Sequence, residues 1–275
     1  MQRRRLDALL AERGLAPSRT SAAASVRAGR VRVGRDGPLA TKPSQLVEGD
    51  TELLVEGPER YVSRGGVKLE NALDFLDVDV SGRSCIDVGA STGGFTDCLL
   101  RRGAARVIAV DVGYGQLDWR LRTDPRVRVL ERTNARNLTR RDLDYAAELA
   151  TVDVSFISLA KVLPAVAASL APQGEILALV KPQFELGRGR VRGGVVRSAA
   201  ERRRALVAVG RAAGEIGLGV LGFAPSGLPG PKGNRETFIW CVAGAAGTED
   251  WEEAARQVEP DHVERPRATA DEVGE

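Results

Sequence analysis

Two lysines and two carboxylates in this sequence border short apolar runs, where they could take part in proton transfer. Lys181 follows the run Leu177–Val180, and Asp153 stands between two valines. Glu236 opens a later apolar run, while Lys68 precedes the first of them. The strands of a doubly wound sheet end at a shared edge, and ligands of such sheets bind outside that edge. If these runs are strands of one sheet, we expect all four side chains to converge on one crevice.

A glycine-rich turn after the first run could hold a nucleoside at the same edge. The segment Asp87–Phe95 contains glycines that let the backbone approach a ligand without a Cβ in the way. Three residues separate Gly89 from Gly93, unlike the dinucleotide pattern, which favours S-adenosylmethionine over cofactors with a pyrophosphate. Asp111 ends the next run and could accept hydrogen bonds from the ribose hydroxyls of an adenosine.

The glycine turn by itself is compatible with several interpretations. It suits a nicotinamide or flavin cofactor, or a tight turn without a ligand, and Asp111 could be a helix cap or a surface acid. The candidate cofactor-binding residues are Asp87, Gly89, Ser91, Gly93, Gly94, Phe95, Asp111 and Asp153.

Proton abstraction from a hydroxyl is the chemistry that the four charged residues suit. Methyl transfer from a sulfonium to a ribose hydroxyl is an in-line displacement, and the attacking oxygen must lose its proton. The only histidine, His262, lies in an acidic C-terminal stretch, which disfavours Ser-His-Asp hydrolysis and Cys-His chemistry. A lysine beside a second cation gives up its proton more readily, so Lys181 is the candidate base and Lys68 its cationic neighbour. Asp153 and Glu236 would orient the ammonium groups, although for any one of the four an ordinary salt bridge is the simpler explanation.

Alternating strands and helices would position these side chains. Five β-branched runs alternate with helical stretches, which predicts a parallel, doubly wound α/β sheet. These runs are Cys85–Val88, Arg106–Val110, Val127–Leu130, Thr151–Val154 and Ile176–Val180. Two later runs, Gly219–Phe223 and Glu236–Val242, are joined by a Pro/Gly-rich loop too short for a crossover helix, so the last strand is expected to be reversed. The predicted fold class is a seven-stranded Rossmann-like sheet of the methyltransferase type with one reversed strand.

A small α+β unit is predicted ahead of the sheet. Leucines at helical spacing predict a helix over Arg3–Glu12, and Ser18 caps a second helix that Gly29 stops. Strands follow at Arg30–Val33 and near Glu52–Val55. The predicted boundaries are 1–58 for this unit, 59–66 for a polar linker, 67–248 for the sheet domain and 249–275 for an acidic, frayed helix and tail.

Positive charge is concentrated in the N-terminal unit. The first 35 residues contain nine arginines and two acids, although the whole chain has a net charge of only +3. Binding to a phosphate backbone requires such a patch, because each neutralised phosphate releases counterions. A solvated arginine-rich face is the alternative. The candidate RNA-binding residues are Arg4, Arg5, Arg19, Arg27, Arg30 and Arg32.

Composition disfavours several other classes of protein. The apolar runs are far shorter than the roughly 20 residues that span a bilayer, and the basic N-terminus lacks the apolar run of an export signal. Cys85, Cys98 and Cys241 show no CxxC spacing, so we expect them in the core and not in a metal site or a disulfide. The sequence therefore predicts a cytoplasmic protein without a metal.

Strings along the whole chain resemble known families. The N-terminal unit resembles the RNA-binding fold named after ribosomal small-subunit protein four, on Arg5–Gly14, Ser18-Arg19 and Ala28–Val33. The remainder is similar to the TlyA family, on Gly89–Thr96, Asp111–Gln116, Ser155–Leu159, Val180–Glu185 and Leu228–Pro231. The resemblance implies an FtsJ-like methyltransferase domain whose Lys-Asp-Lys-Glu tetrad falls on Lys68, Asp153, Lys181 and Glu236.

The resemblance also implies a substrate and a linker. It implies 2′-O-methylation of cytidines in ribosomal RNA, in the large ribosomal subunit and, in longer members, in the small subunit as well. Arg60–Ser63 would be the interdomain linker that couples RNA docking to cofactor binding, with Tyr61 at its second position.

Two functions of other classes stay open. The family also carries a haemolysin label, which suggests a membrane-active protein, although strongly amphipathic or apolar spans are missing. A non-catalytic RNA-binding protein or ribosome assembly factor could keep the same fold. The complete tetrad argues against that second alternative.

Overall fold

Two units, Met1–Glu59 and Arg60–Glu275, each fold around a hydrophobic core of their own. The computed structural model describes residues 3–27, 29–35, 37–55, 60–187, 191, 193–230, 233–248 and 250–260. His262 and the rest of the acidic segment 261–275 lie outside these residues.

The described residues of the N-terminal unit form two helices and four very short strands. Its elements are β1 (Arg3–Arg5), α1 (Leu6–Glu12), α2 (Arg19–Arg27), β2 (Val31–Val33), β3 (Leu46–Glu48) and β4 (Leu53–Val55). Strand β1 pairs antiparallel with β3, and β2 pairs antiparallel with β4. The prediction of a helix from Arg3 is wrong for its first three residues, which form β1. The hydrogen bonds that these residues gain from β3 outweigh a leucine pattern that begins only at Leu6.

The second unit is a seven-stranded sheet with helices on both faces. Its elements are α3 (Arg64–Leu76), β5 (Ser84–Val88), α4 (Gly94–Arg101), β6 (Arg106–Val110), α5 (Trp119–Arg122), β7 (Val127–Leu130), β8 (Ala147–Val152), α6 (Leu163–Ala167), β9 (Leu170–Val180), α7 (Pro182–Glu185), α8 (Ala199–Glu215), β10 (Leu218–Pro225), β11 (Thr237–Ala243) and α9 (Trp251–Val258). The strand order is β10-β11-β9-β8-β5-β6-β7. Strand β11 runs antiparallel to both of its neighbours, β10 and β9, whereas the other neighbouring pairs are parallel. The predicted seven-stranded sheet with one reversed strand is confirmed.

Successive residues of the central strands point to opposite faces of the sheet. Ile86 and Val88 pack into a core with α6, α8 and α9, whereas Cys85 packs into a second core with α3 and α4. Because both faces are covered, the parallel strands are apolar along almost their whole length. Cys98 and Cys241 are buried, like Cys85, which confirms that all three lie in the core.

Several element boundaries differ from those expected. Strand β8 ends at Val152, so Asp153 is the first residue beyond it and not a strand residue. Helix α3 begins at Arg64, which makes the last three residues of the expected linker helical. The C-terminal helix α9 packs on α8, where Trp251 covers Gly210 and Gly214. A helix is thus present in the segment where one was expected, and an indole ring and small helix residues give it a packed surface.

Candidate active site

A glycine turn connects β5 to α4 and lies close to the end of β8. The backbone N–H of Asp153 donates to Val88 O at 2.9 Å. Gly89 has a φ of +89°, and a Cβ at this position would lie 2.4 Å from Asp153 O. Only glycine therefore allows the turn and the end of β8 to approach so closely.

The carboxylate of Asp87 lies beneath this turn. Thr96 donates to Asp87 Oδ2 from its N–H at 2.9 Å and from its hydroxyl at 2.7 Å, and Thr151 Oγ1 lies 3.2 Å from Asp87 Oδ1. Burial raises the pKa of Asp87 to about 7. Asp87, one of the candidate cofactor-binding residues, is fully buried and does not line the cavity described below. Its carboxylate holds the start of α4 through the two hydrogen bonds from Thr96.

Three of the four tetrad residues lie where strands end or begin. Asp153 follows β8, and Lys181 follows β9. Thr237, the first residue of reversed strand β11, pairs with Val180, and this register places Glu236 beside Lys181 along the sheet edge. The reversed strand is thus what brings a carboxylate from the end of the domain to the carboxyl edge of the parallel strands.

The tetrad forms two lysine–carboxylate pairs. Lys68 Nζ, from the second turn of α3, lies 2.5 Å from Glu236 Oε2, with side chains that are 10% and 0% exposed. Lys181 Nζ lies 2.6 Å from Asp153 Oδ1 and also donates to Ser155 Oγ at 2.8 Å. Each ammonium group is therefore held by its own carboxylate.

A loop between β10 and β11 lies directly over Glu236. A Cβ at Gly230 would lie 2.0 Å from Glu236 Oε1, and this oxygen is buried without a hydrogen-bond partner among the described residues. Arg64 Nη2 donates to Pro229 O at 2.8 Å, which ties the loop to the start of α3.

The two pairs and the glycine turn surround one cavity of about 270 Å³. It is lined by Ser63, Arg64, Gly65, Lys68, Gly89, Ala90, Ser91, Thr92, Gly94, Phe95, Asp153, Lys181, Pro229, Gly230 and Glu236. The structure therefore brings the four tetrad residues together with Gly89, Ser91, Gly94 and Phe95. Gly93 does not line the cavity. It precedes α4 with a φ of +97°, and a Cβ at this position would lie 2.3 Å from Leu121 Cδ1.

Asp111 lies in a smaller, adjoining cavity that shares Ala90 and Ser91 with the first. Its two carboxylate oxygens accept from the N–H groups of Ser91 at 2.8 Å and Gly113 at 2.6 Å. A carboxylate has about four lone-pair positions, so acceptor capacity is left for a ligand. The side chain of Gln116 lies next to Gly113 in the same cavity.

The segment Arg60–Ser63 is anchored to α3 and α4. The hydroxyl of Tyr61 donates to Glu70 Oε1 at 2.9 Å, and burial raises the pKa of Tyr61 well above its usual value. Gly66 leaves room for the tyrosine ring, because a Cβ there would lie 2.3 Å from it. The buried ring thus places Ser63, the next residue but one, at the cavity wall.

Sequence reasoning missed several residues beside the tetrad. Ser155 accepts the hydrogen bond from Lys181, and Phe156 is 91% exposed with its ring 5.1 Å from that of Phe184. Glu185 accepts hydrogen bonds from Ser158 Oγ and from the backbone N–H of Leu159, and burial raises the pKa of Glu185. Phe156 also has a φ of +64°, a strained backbone that a sequence pattern does not reveal.

Comparison with known proteins places the chain in a family. Its residues 61–242 match the model of the FtsJ-like methyltransferases, and residues 4–53 match the S4 domain. The 16S/23S rRNA (cytidine-2'-O)-methyltransferase TlyA of Mycobacterium tuberculosis is 52% identical over 242 residues, which cover 87% of this chain and 90% of that protein. This chain belongs to the TlyA family.

Other relatives of this TlyA-family chain carry different names. Hemolysin A of Brachyspira hyodysenteriae is 37% identical over 84% of this chain and 97% of its own length. A solved structure of a candidate hemolysin from Streptococcus thermophilus has 40% identity and a TM-score of 0.72, and the match covers 94% of this chain and 96% of that one. Within the described ranges, no helix has the length and hydropathy needed to cross a bilayer.

In the S4 domain of this TlyA-family chain, three of the six candidate arginines lie beside carboxylates. Arg5 donates twice to Asp7, at 3.1 and 2.8 Å, and Arg19 lies 3.4 Å from the same carboxylate. These hydrogen bonds hold the pKa of Asp7 below its usual range. Arg4 pairs with Glu12, while Arg27 is exposed.

The last two candidate arginines are half-buried. Arg30 donates to Ser25 Oγ at 3.2 Å, and Arg32 donates to Gly37 O at 3.4 Å. That Asp7 holds two of the six arginines together was not predictable from sequence, because an acid in a first helical turn usually interacts with the helix dipole.

Proposed function

We propose that this protein transfers a methyl group from S-adenosylmethionine to the 2′-hydroxyl of a cytidine ribose in ribosomal RNA. The observation that carries the proposal is the pair of lysine–carboxylate contacts around one cavity beside the glycine turn. Membership of the TlyA family supports the reaction, and the relative named as a 16S/23S rRNA methyltransferase makes both ribosomal subunits candidate substrates.

The residues around the two adjoining cavities fit S-adenosylmethionine. Asp111 offers acceptors for ribose hydroxyls, and Gly89 and Gly94 leave the cavity wall without side chains at the turn. Asp87 acts indirectly, through the hydrogen bonds that hold the start of α4. When bound, S-adenosylmethionine supplies an activated methyl group on a positively charged sulfur.

Lys181 is proposed to take the proton of the ribose hydroxyl. Asp153 and Ser155 hold the amine in a fixed direction, so one of its three hydrogen-bonding positions is left for the substrate. In its neutral form Lys181 accepts the proton, and Asp153 stabilises the ammonium that forms. Lys68, oriented by Glu236, contributes positive charge near the developing alkoxide.

Binding of the RNA is proposed to divide between the two units. The arginines of the S4 domain (Arg4, Arg5, Arg19, Arg27, Arg30 and Arg32) would contact phosphates. The exposed ring of Phe156, next to Ser155, offers a surface on which an unstacked base could lie. The arginines would supply affinity for the RNA, and the ring of Phe156 would help to present the ribose to Lys181.

Tritiated methyl transfer to purified small and large ribosomal subunits tests the proposal. We expect label in RNA with the wild-type protein and none with Lys181→Ala. A 2′-O-methyl group blocks attack on the next phosphodiester, so alkaline hydrolysis should release the label as a dinucleotide with cytidine at its 5′ position.

The control is Lys161→Ala, which removes an exposed lysine of a nearby short helix that does not line the cavity. We expect this variant to methylate at the wild-type rate. Label released as a mononucleotide would place the methyl group on a base, and label retained by Lys181→Ala would remove Lys181 from the proton transfer.

A further inference from the structure

The C-terminal helix α9 lies outside the residues that match the FtsJ-like model, yet its end approaches the loop that carries Glu236. The model match stops at residue 242, and α9 spans Trp251–Val258. Glu259, the residue after α9, is 2% exposed, and its Oε2 lies 3.8 Å from Arg235, which directly precedes Glu236. A charged group from the end of the domain is therefore buried next to the chain segment that carries the tetrad carboxylate.

Arg202 on α8 holds Glu259 in this position. Its Nη2 donates to Glu259 Oε2 at 2.8 Å, and the two side chains are 8% and 3% exposed. Its Nη1 donates to the carbonyl oxygens of Arg197 at 2.8 Å and Val196 at 3.4 Å. One guanidinium thus joins the C-terminal segment to the segment before α8.

Asn234 joins that same segment to the loop over the cavity. Its Oδ1 accepts from Val196 N at 2.9 Å, its Nδ2 donates to Gly194 O at 2.8 Å, and the residue is 1% exposed. The carbonyl oxygen of Asn234 accepts from Gly230 N at 2.8 Å. Since Gly230 lies directly against Glu236 Oε1, the contacts run without a break from Glu259 to the tetrad.

We propose that Glu259, Arg202 and Asn234 form a brace that positions Glu236 against Lys68. None of the three lines the cavity, so they are positioning residues and not catalytic residues. The inference rests on the proposed function, in which the Lys68–Glu236 pair stabilises the transition state. Displacement by about 1 Å at a reacting centre can cost about 100-fold in rate, so a brace one layer away can set the rate without touching substrate.

Replacement of Glu259 by glutamine tests the brace. Glu259→Gln keeps the shape and removes the charge that Arg202 needs, and we expect the single-turnover methylation rate at saturating RNA and S-adenosylmethionine to fall by about tenfold. The dissociation constants of both ligands should stay within about twofold, because no brace residue contacts the cavity. The matched control is Glu252→Gln on the same helix, whose side chain is 72% exposed and which should keep the wild-type rate.

A double-mutant cycle with Glu236→Gln separates positioning from general stabilisation. If the brace acts only through Glu236, adding Glu259→Gln to Glu236→Gln should change the rate by less than about twofold. The brace would be overturned if Glu259→Gln lowered the rate equally in the wild-type and Glu236→Gln proteins, or if it did not lower the rate of the wild-type protein. If Glu236→Gln alone keeps the wild-type rate, the proposed role of Glu236 fails and the brace fails with it.

A second variant covers the case in which Glu259→Gln does not fold. Asn234→Asp has nearly the same size, but it turns the donor that faces Gly194 O into an acceptor. At a temperature where circular dichroism shows the variant folded, we expect the single-turnover rate to fall as much as it does in Glu259→Gln. In the Glu236→Gln background, Asn234→Asp should cause no further fall. A folded Asn234→Asp protein with the wild-type rate would contradict the brace.

Discussion

Three arginines of the S4 domain (Arg4, Arg5 and Arg19) and both lysines of the tetrad are paired with carboxylates, but in different surroundings. The side chains of Arg4 and Glu12 are 42% and 53% exposed, whereas those of Lys68 and Lys181 are each 10% exposed. Exposed pairs are screened by salt and contribute about 0–1 kcal/mol, while a buried charge that loses its partner costs about 3–5 kcal/mol. Burial therefore separates the two sets of cations: in the proposed function, the exposed arginines contact phosphates and the buried lysines are held in place for methyl transfer.

The largest expected effect on stability comes from Lys68→Met. This change leaves the Glu236 carboxylate buried without a cation, and we expect the free energy of unfolding to fall by about 3–5 kcal/mol. Urea titration followed by circular dichroism measures it. Arg4→Met breaks an exposed pair with Glu12 and should change the same quantity by less than about 1 kcal/mol.

The double variant Lys68→Met/Glu236→Gln sharpens this prediction. With both charges removed, most of the lost stability should return, while methyl transfer stays impaired. A double variant as unstable as Lys68→Met would mean that packing around the lysine stem, and not the unpaired carboxylate, causes the loss.

The next effect concerns Asp87 and pH. Burial raises the pKa of Asp87 to about 7 in the folded protein, so the folded state binds a proton that the unfolded chain releases near pH 4. The stability that this proton provides is fully present below about pH 4 and is lost as the pH rises through about 7. We therefore expect the free energy of unfolding to fall by roughly 2–3 kcal/mol between pH 5 and pH 8.

The isosteric variant Asp87→Asn checks the assignment. Its amide can accept from Thr96 and donate to Thr151 at every pH, so the fall in stability between pH 5 and 8 should be smaller than in the wild type. Thermal unfolding across this range measures the difference. Parallel pH profiles of the two proteins would show that Asp87 is ionised throughout.

The smallest expected effect is on RNA affinity. Arg27→Ala removes one exposed positive charge from α2, and we expect ribosomal RNA to bind roughly threefold more weakly, with the salt dependence reduced by about one counterion. Filter binding at several salt concentrations measures both. Arg256→Ala, an exposed arginine on α9, is the matched control and should bind RNA like the wild type.

The sheet was largely predictable from sequence because its strands are buried on both faces. The runs Arg106–Val110 and Val127–Leu130 match β6 and β7 in full, since polar or turn residues end each run. The short strands β1 and β3 were missed, because Arg3–Arg5 carries no alternation of apolar and polar residues. Their pairing depends on a partner more than 40 positions away, which a local pattern cannot report.

The convergence of the four tetrad residues was predictable from sequence, but their contacts were not. The ends of strands indicated where Asp153, Lys181 and Glu236 would meet, because strand direction fixes the edge. The pairing of each lysine with one carboxylate depends on side-chain orientation, and so does the burial of Asp87 beneath the turn. The contacts from Glu259 to Glu236 depend on the packing of α9, which the acidic composition of that segment concealed.

The single-turnover rate of Lys181→Met as a function of RNA concentration tests the separation of chemistry from binding most directly. We predict a maximal rate about 10³-fold below that of the wild type, with an unchanged RNA concentration at half-saturation. A variant that keeps the wild-type maximal rate and needs more RNA to reach it would contradict the account, because Lys181 would then bind RNA like the arginines of the S4 domain.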